Sequence, residues 1–387
     1  MIAASAAARI TKIVINKAHQ KSPFPNASGS LNADNMALAL KEISGWPGYN
    51  PTPLHSLPAV AAACGVKAVL YKDEATRFNL GSFKALGGSY AVASLILAQK
   101  ALGINVADIT VATATDGNHG RSVSWGAQLS GCTAKIYIHK HVSVARERAM
   151  QSFGADVIRV NGNYEASLAA CKSDAEANGW HIVSDTSWEG YREIPLQVMA
   201  GYSVMSHEAL AQMRDMRPTH AFLPIGVGGL AAGLVAPLWQ AMGDALCKVI
   251  SVESDMSACF LESIEAQTPT LIEISEETLM AGLSCGEVSG LAWDVLRPTL
   301  SHCLSITDDA VAPLMRFLGQ GLENDLSIEA GECSTAGLAA LMAAKRDQSL
   351  WSALDFDENS VVLLIGTEGA TDPELYKSIM NATRGAS

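Results

Sequence analysis

From residue 66 onward, short β-branched and aliphatic runs alternate with stretches whose apolar positions recur every three or four residues. The strand candidates are "VKAVLY" (66–71), "ITVATA" (109–114), "AKIYIH" (134–139), "DVIRV" (156–160) and "WHIVS" (180–184). Four more follow: "HAFLPI" (220–225), "KVISVE" (248–253), "CLSIT" (303–307) and "SVVLLI" (360–365). Between them, segments such as "SLAACKSDAEANG" and "DDAVAPLMRFLGQG" carry helical spacing and end in glycine, a common helix terminator. Strands that are apolar throughout are covered on both faces, and strands separated by helices run parallel. An α/β fold is expected, with ligands beyond the carboxyl ends of strands, so the loops that follow strands hold the candidate chemistry.

At 387 residues the chain is long enough for two packed lobes. Its formal charge of −12 argues against nucleic acid, whose phosphates attract basic surfaces. No apolar run reaches the length of a membrane span. The eight cysteines include no C-x-x-C pair, which fits a reducing compartment, places the protein in the cytoplasm and gives no zinc signature. No histidine spacing suggests a metal either, and "HKH" (139–141) reads as an exposed polar turn at a strand end. The first 33 residues lack acids but contain Arg9, Lys12, Lys17 and Lys21. Such a segment can be a targeting sequence, but "RITKIVINK" alternates as a strand does, and the strand is the expectation. The most loop-like stretch is "NASGSLNADN" (26–35), and no internal repeat is visible.

Four loops stand out. In "RFNLGSFKALGGSYAV" (77–92), Lys84 lies where an apolar helix begins, among Gly81, Gly87 and Gly88. The positive end of the helix dipole disfavours its protonated form, and a neutral amine is what an aldehyde cofactor needs to form a Schiff base. In "TATDGNHGR" (113–121), a polar turn containing Asp116, Asn118 and His119 follows a buried strand and opens a helix. Its amides can cradle an anion, although Asp or Asn there also fits a simple N-cap. "LPIGVGGLAAGL" (223–234) is a strand, a glycine turn and a helix start, suited to a phosphate. Gly226, Gly228 and Ala231, with Glu253 ending the next strand, also match a dinucleotide fingerprint. The fourth loop, "LLIGTEGATD" (364–373), offers the hydroxyl of Thr367.

Together these loops resemble, in order and spacing, the fold-type II pyridoxal-phosphate enzymes. "SFKALGG" is similar to their Schiff-base lysine motif, "DGNHG" to their cofactor-covering loop and "GVGGLAAG" to their phosphate loop. The resemblance is closest to the diaminopropionate ammonia-lyases and runs from "YNPTPLHSL" (49–57) to "TEGATD" (367–372). It includes "KDEATRF", "SDTSWEGY" (184–191), "MAGLSCGE" (280–287) and "AGECSTAGL".

The resemblance implies two open, twisted, mostly parallel sheets flanked by helices, with the site in the cleft between a large and a small domain. Residues 1–88 and 192–387 would form the large domain and residues 89–191 the small one. It implies a homodimer, pyridoxal 5'-phosphate as cofactor and an amino acid as substrate, with ammonia eliminated from 2,3-diaminopropionate of either hand. Lys84 would carry the cofactor beside Phe83, and Asn118 would meet its phenolic oxygen. Gly226, Val227, Gly228, Gly229 and Leu230 would hold its phosphate, and Thr367 its ring nitrogen. Asp116, Asp185, Thr115 and His119 would line the substrate.

Asp116 stands where the hydroxy-amino-acid dehydratases usually carry serine. A carboxylate there can hold a cationic β-ammonium by a charge-assisted hydrogen bond, and can act as a base opposite Lys84. Two departures from the family pattern are Gly366, where a hydroxyl residue is usual, and "GECS" in place of Gly-Glu-Ser-Gly. Cys259 and Cys285 fall in loops that could approach one another, but a reducing compartment argues against a disulfide. The alternatives are a dehydratase for serine, threonine or another β-substituted amino acid, a dinucleotide-dependent oxidoreductase, and a non-catalytic sensor.

Overall fold

The computed structural model describes residues 7–20, 31–323 and 325–382. Its strands are β1 (Ile10–Ile15), β2 (Leu54–Ser56), β3 (Ala68–Asp73), β4 (Thr110–Ala114), β5 (Thr133–His139), β6 (Asp156–Val160) and β7 (His181–Ile182). They continue with β8 (His220–Pro224), β9 (Lys248–Ser254), β10 (Leu300–Ile306) and β11 (Val361–Gly366). The helices that shape the site are α1 (Ala33–Ser44), α2 (Lys84–Ala101), α3 (Asn118–Ser130), α4 (Val144–Gln151) and α5 (Tyr164–Asn178). With them are α6 (Glu193–Met213), α7 (Gly229–Met242) and α8 (Cys259–Ala266).

Two sheets result, of order β1-β10-β9-β8-β11-β3-β2 and β6-β5-β4-β7. The smaller is parallel throughout. In the larger, the inner strands are parallel and only the edge strands β1 and β2 run antiparallel. The larger sheet separates two apolar clusters. Ala221, Leu223, Leu363 and Ile365 face one, while Phe222, Val362 and Leu364 face the other. Burial on both faces is why these strands read as unbroken apolar runs. The first cluster continues through Val111, Ile136 and Ile138 of the smaller sheet, so one core joins the two layers.

Most expected strands appear within two residues of their predicted bounds. "WHIVS" shortens to His181–Ile182, and β2 is too short to announce itself by periodicity. Residues 10–15 are an edge strand paired with β10, in keeping with the strand reading of that segment. Of the loop expected at 26–35, residues 26–30 lie outside the described residues. Asn32 instead starts a helix, its side chain accepting from the amides of Asp34 and Asn35. Among the described residues no helix is long and apolar enough to cross a membrane.

Strand order positions the site. The last strand in the chain, β11, lies between β3 and β8, so the loops after β3, β8 and β11 emerge side by side. In the smaller sheet β4 lies between β5 and β7, and the loops after these three strands emerge together in the same way. Crevices at such reversals of strand order are where ligands of open α/β sheets bind.

Candidate active site

Lys84 opens α2 directly after the loop from β3. The loop is tight: Phe78 and Asn79 both have positive φ, 50° and 59°. Phe78 is held there by aromatic contact with Trp125 at 4.7 Å and Trp46 at 5.9 Å. The Phe83 amide donates to the Thr367 carbonyl (3.0 Å), and the Gly369 amide to the Gly81 carbonyl (2.9 Å), which joins the lysine loop to the loop after β11. From the other sheet, Ser122 Oγ on α3 donates to the Lys84 carbonyl at 2.6 Å.

The Lys84 side chain overturns the expectation of a neutral amine. Its Nζ lies 2.5 Å from Asp185 Oδ2, both side chains being about one-fifth exposed (21% and 22%). Burial is the largest single influence and works to lower the lysine pKa, but the Asp185 charge, Tyr202 and the hydrogen bond to Asp185 together outweigh it and the net shift is upward. The same pair holds Asp185 below its ordinary range, against burial. The helix dipole is the weaker field, because a full charge in contact exceeds a partial charge spread over a helix end.

The "TDGNHG" loop connects β4 to α3. Thr115 is buried, and its hydroxyl accepts from the amides of Gly117 (3.0 Å) and Gly120 (3.1 Å), which folds the loop back on itself. Gly117 has φ +155°, and a Cβ there would lie 2.9 Å from Arg146 Cδ, so glycine is required on both counts. Asn118 is half-buried at the first position of α3. His119 is buried, and its Nε2 donates to the Val183 carbonyl at 2.8 Å, tying α3 to β7. Its Nδ1 is buried with no hydrogen-bond partner among the described residues, and burial lowers its pKa, so the ring is neutral.

Asp116 has an environment that the sequence did not disclose. Oδ1 lies 2.9 Å from Nε2 of His139, whose side chain is 10% exposed. The expectation of an exposed turn at 139–141 therefore fails at its first residue and holds at Lys140 and His141. Burial raises the Asp116 pKa, the Glu277 charge adds to this, and His139 and Arg146 oppose it. Tyr164, at the start of α5, gave no signal in the sequence. Burial raises the pKa of its hydroxyl, with the charges of Asp185 and Asp116 adding to this and that of Lys84 opposing it.

The glycine turn after β8 is built for close approach. A Cβ on Gly226 would lie 2.9 Å from Cys285 Sγ, and one on Gly228, at φ +97°, 2.5 Å from Phe260 Cε2. Gly229 and Leu230 begin α7, whose first amides have no acceptor within their own helix. Val227 is fixed by its carbonyl, which accepts from the Ser289 amide at 2.9 Å. Cys259 and Cys285 both reach Gly226 and are free thiols; burial pushes Cys285 up to about 12. Glu253 is not available to a ribose. It is fully buried and accepts from the Phe260 and Leu261 amides, both at 2.8 Å.

After β11, Thr367 is buried and its hydroxyl lies 3.3 Å from Ser334 Oγ, so "GECS" delivers a second hydroxyl beside it. Tyr202, on α6, was also missed by sequence reasoning. Its ring meets Phe83 edge-on at 4.8 Å, and its buried hydroxyl has no hydrogen-bond partner among the described residues. Buried polar groups are nearly always satisfied, so an orphan hydroxyl beside Lys84 marks a place for a polar ligand. A glycine cradle at a helix start, a lysine in the cleft and paired hydroxyls after β11 fit a phosphorylated aldehyde with a ring nitrogen.

The comparisons agree with this chemistry. A family model described as pyridoxal-phosphate dependent enzyme matches residues 46–366. The diaminopropionate ammonia-lyase of Escherichia coli K12 is 38% identical over 349 residues, covering 86% of this chain and 88% of that protein. The diaminopropionate ammonia-lyase of Salmonella typhimurium LT2 is 33% identical over 364 residues, covering 88% and 90%. A crystal structure of the holo enzyme from Escherichia coli matches with a TM-score of 0.88 at 35% identity, covering 96% of this chain and 97% of that one. The chain belongs to the pyridoxal-phosphate dependent enzymes of fold type II.

Proposed function

We propose that the protein eliminates ammonia from 2,3-diaminopropionate, D or L, giving pyruvate and a second ammonia after hydrolysis. The observation that carries this reading is Asp116, a carboxylate in the loop between β4 and α3, where a hydroxy-amino-acid dehydratase would carry serine. The relatives named above bear the corresponding activity in their names.

Bound pyridoxal phosphate supplies an aldehyde that condenses with amines and a ring that takes up the electrons left at Cα. The residues of this chain do the rest. The amides from Gly226 to Leu230 bind the phosphate, Asn118 the phenolic oxygen, and Thr367, backed by Ser334, the ring nitrogen. Phe83 packs against the lysine and the cofactor. Lys84 moves the Cα proton on one face and Asp116 on the other, which admits both hands of substrate. Asp116 also binds the β-ammonium, a charge that a serine would leave poorly compensated in a closed site. Asp185, Thr115 and His119 bind and orient the amino acid. The reading extends to a homodimer in the cytoplasm, and to a large domain of residues 1–88 and 192–387 with a small one of residues 89–191. The division is supported by the smaller sheet, whose strands all lie between residues 110 and 182.

Borohydride reduction of the cofactor-loaded protein followed by peptide mapping should label Lys84, and an unlabelled Lys84 peptide would refute its role. Pyruvate release across a substrate panel tests the rest. Asp116→Ser should depress turnover of diaminopropionate by about 100-fold or more while sparing serine. Equal loss on every substrate would remove the recognition role, and faster turnover of serine than of either diaminopropionate enantiomer would favour the dehydratase.

A further inference from the structure

Asp116 is pinned at both its main chain and its side chain. Arg146 Nη1, from α4, donates to the Asp116 carbonyl at 3.2 Å, and the same side chain fills the space beneath Gly117. The carboxylate faces His139 at the end of β5, with Nε2 2.9 Å from Oδ1. The other ring nitrogen is committed: the His141 amide donates to Nδ1 at 3.3 Å. A nitrogen that accepts carries no proton, so the ring proton sits on Nε2, the atom that faces Asp116. The turn that makes this contact is itself fixed. Arg159 Nη1 donates to the carbonyls of His139 (3.3 Å), Lys140 (3.1 Å) and Val142 (2.8 Å), and its Nη2 to Glu147 at 2.6 Å. A buried polar ring 2.9 Å from a half-exposed carboxylate (49%) is an arrangement that restrains the carboxylate.

We propose that His139 is a positioning residue, which in its Nε2-protonated form aims the Asp116 carboxylate at Cα and so governs turnover of the enantiomer whose proton Asp116 takes. The proposal rests on the reading of Asp116 given above. Arg146, Glu277, Tyr164 and Cys285 also act electrostatically on Asp116. They are unchanged in the variants below, so differences between variants report on His139.

The test compares cofactor-loaded wild type, His139→Leu, His139→Gln and Asp116→Asn. Pyruvate release is measured from each enantiomer of 2,3-diaminopropionate as a function of pH. Cofactor absorbance checks that each variant folds and loads. His139→Leu should lower kcat for one enantiomer by about 10- to 100-fold more than for the other, the effect expected on losing a close polar contact to a charged group. The acidic limb of that enantiomer's profile should move to higher pH, because a carboxylate without its donor protonates more readily. His139→Gln, whose Nε2–H reaches the same place, should recover most of the loss. Nitrogen-15 spectra of the histidine rings should show His139 protonated on Nε2 alone.

Equal losses for both enantiomers, an unmoved acidic limb, or a proton on Nδ1 of the wild-type ring would each overturn the proposal. If Asp116→Asn itself fails to separate the enantiomers, the reading of Asp116 is wrong and the proposal falls with it. If Asp116→Asn separates them and His139→Leu does not, only the role of His139 falls.

Discussion

Gly366 illustrates what one residue decides in this site. A Cβ placed there would lie 2.4 to 2.5 Å from the ring and hydroxyl of Tyr71. Tyr71 in turn donates to the Ser334 carbonyl at 3.2 Å, and Ser334 Oγ lies beside Thr367. The hydroxyl residue usual at 366 is therefore excluded sterically, and Ser334 brings a hydroxyl from another loop. Gly366→Ser, which restores the family pattern, should lower stability by about 1–3 kcal/mol through overpacking and weaken cofactor retention. Thermal unfolding with and without cofactor checks this; an equally stable variant would mean that Tyr71 yields. Candidate residues for chemistry could be named from sequence at this scale, as Lys84, Asp116 and Thr367 illustrate. Their partners were not. Lys84 with Asp185 and Asp116 with His139 are separated by 101 and 23 positions, and no local pattern predicts either pair.

At the scale of elements, the start of α8 has a consequence that depends on pH. The Glu253 carboxylate, at the end of β9, accepts two amides at the start of this helix and is fully buried. Burial lifts its pKa from 4.5 to about 8, against the amides that favour its charge. A raised pKa in the folded state means that the native protein binds more protons than the unfolded chain in that interval. The contribution to stability is thus complete below about pH 4.5 and is lost as pH rises through about 8. Glu368, lifted by burial to about 7, acts in the same direction. Urea unfolding at several pH values should show stability falling across this window in the wild type. In Glu253→Gln, which keeps an acceptor but cannot ionise, the decline should be smaller, and an identical slope would exclude Glu253 as a source. The sequence placed this glutamate correctly at a strand end, but not its use, because which amides a buried carboxylate meets depends on how the next helix docks.

For the whole molecule, a buried ionic network joins three parts of the chain. Lys72 on β3 donates to Glu208 on α6 at 2.7 Å and to the Thr52 carbonyl at 2.7 Å. Arg77 donates to both oxygens of Glu208 at 2.7 Å and to Glu74 at 2.8 and 2.9 Å. All four charged side chains are at most 3% exposed. The network fixes the loop that leads to Lys84 against the long helix carrying Tyr202. Glu208→Ala would leave Lys72 buried without the carboxylate it donates to and Arg77 with Glu74 alone, and should cost about 3–5 kcal/mol of stability. Denaturant unfolding measures this, and a loss below about 1 kcal/mol would mean that water or Glu74 compensates. "KDEATRF" in the sequence contains three of the four charges but not the fourth, which lies 131 positions from Arg77.

The sequence by itself determined the α/β class, most of the strands and the four loops proposed to hold the chemistry. These follow from periodicity and glycine placement, which are local consequences of backbone geometry and burial. Only the tertiary structure decided the protonation of Lys84, the burial of His139, the diversion of Glu253 to a helix start and the supply of a hydroxyl from Ser334. Each depends on which strand ends become neighbours. The order β8-β11-β3 in one sheet and β5-β4-β7 in the other brings distant charges within a few ångströms, where Coulomb forces and desolvation outweigh any local preference.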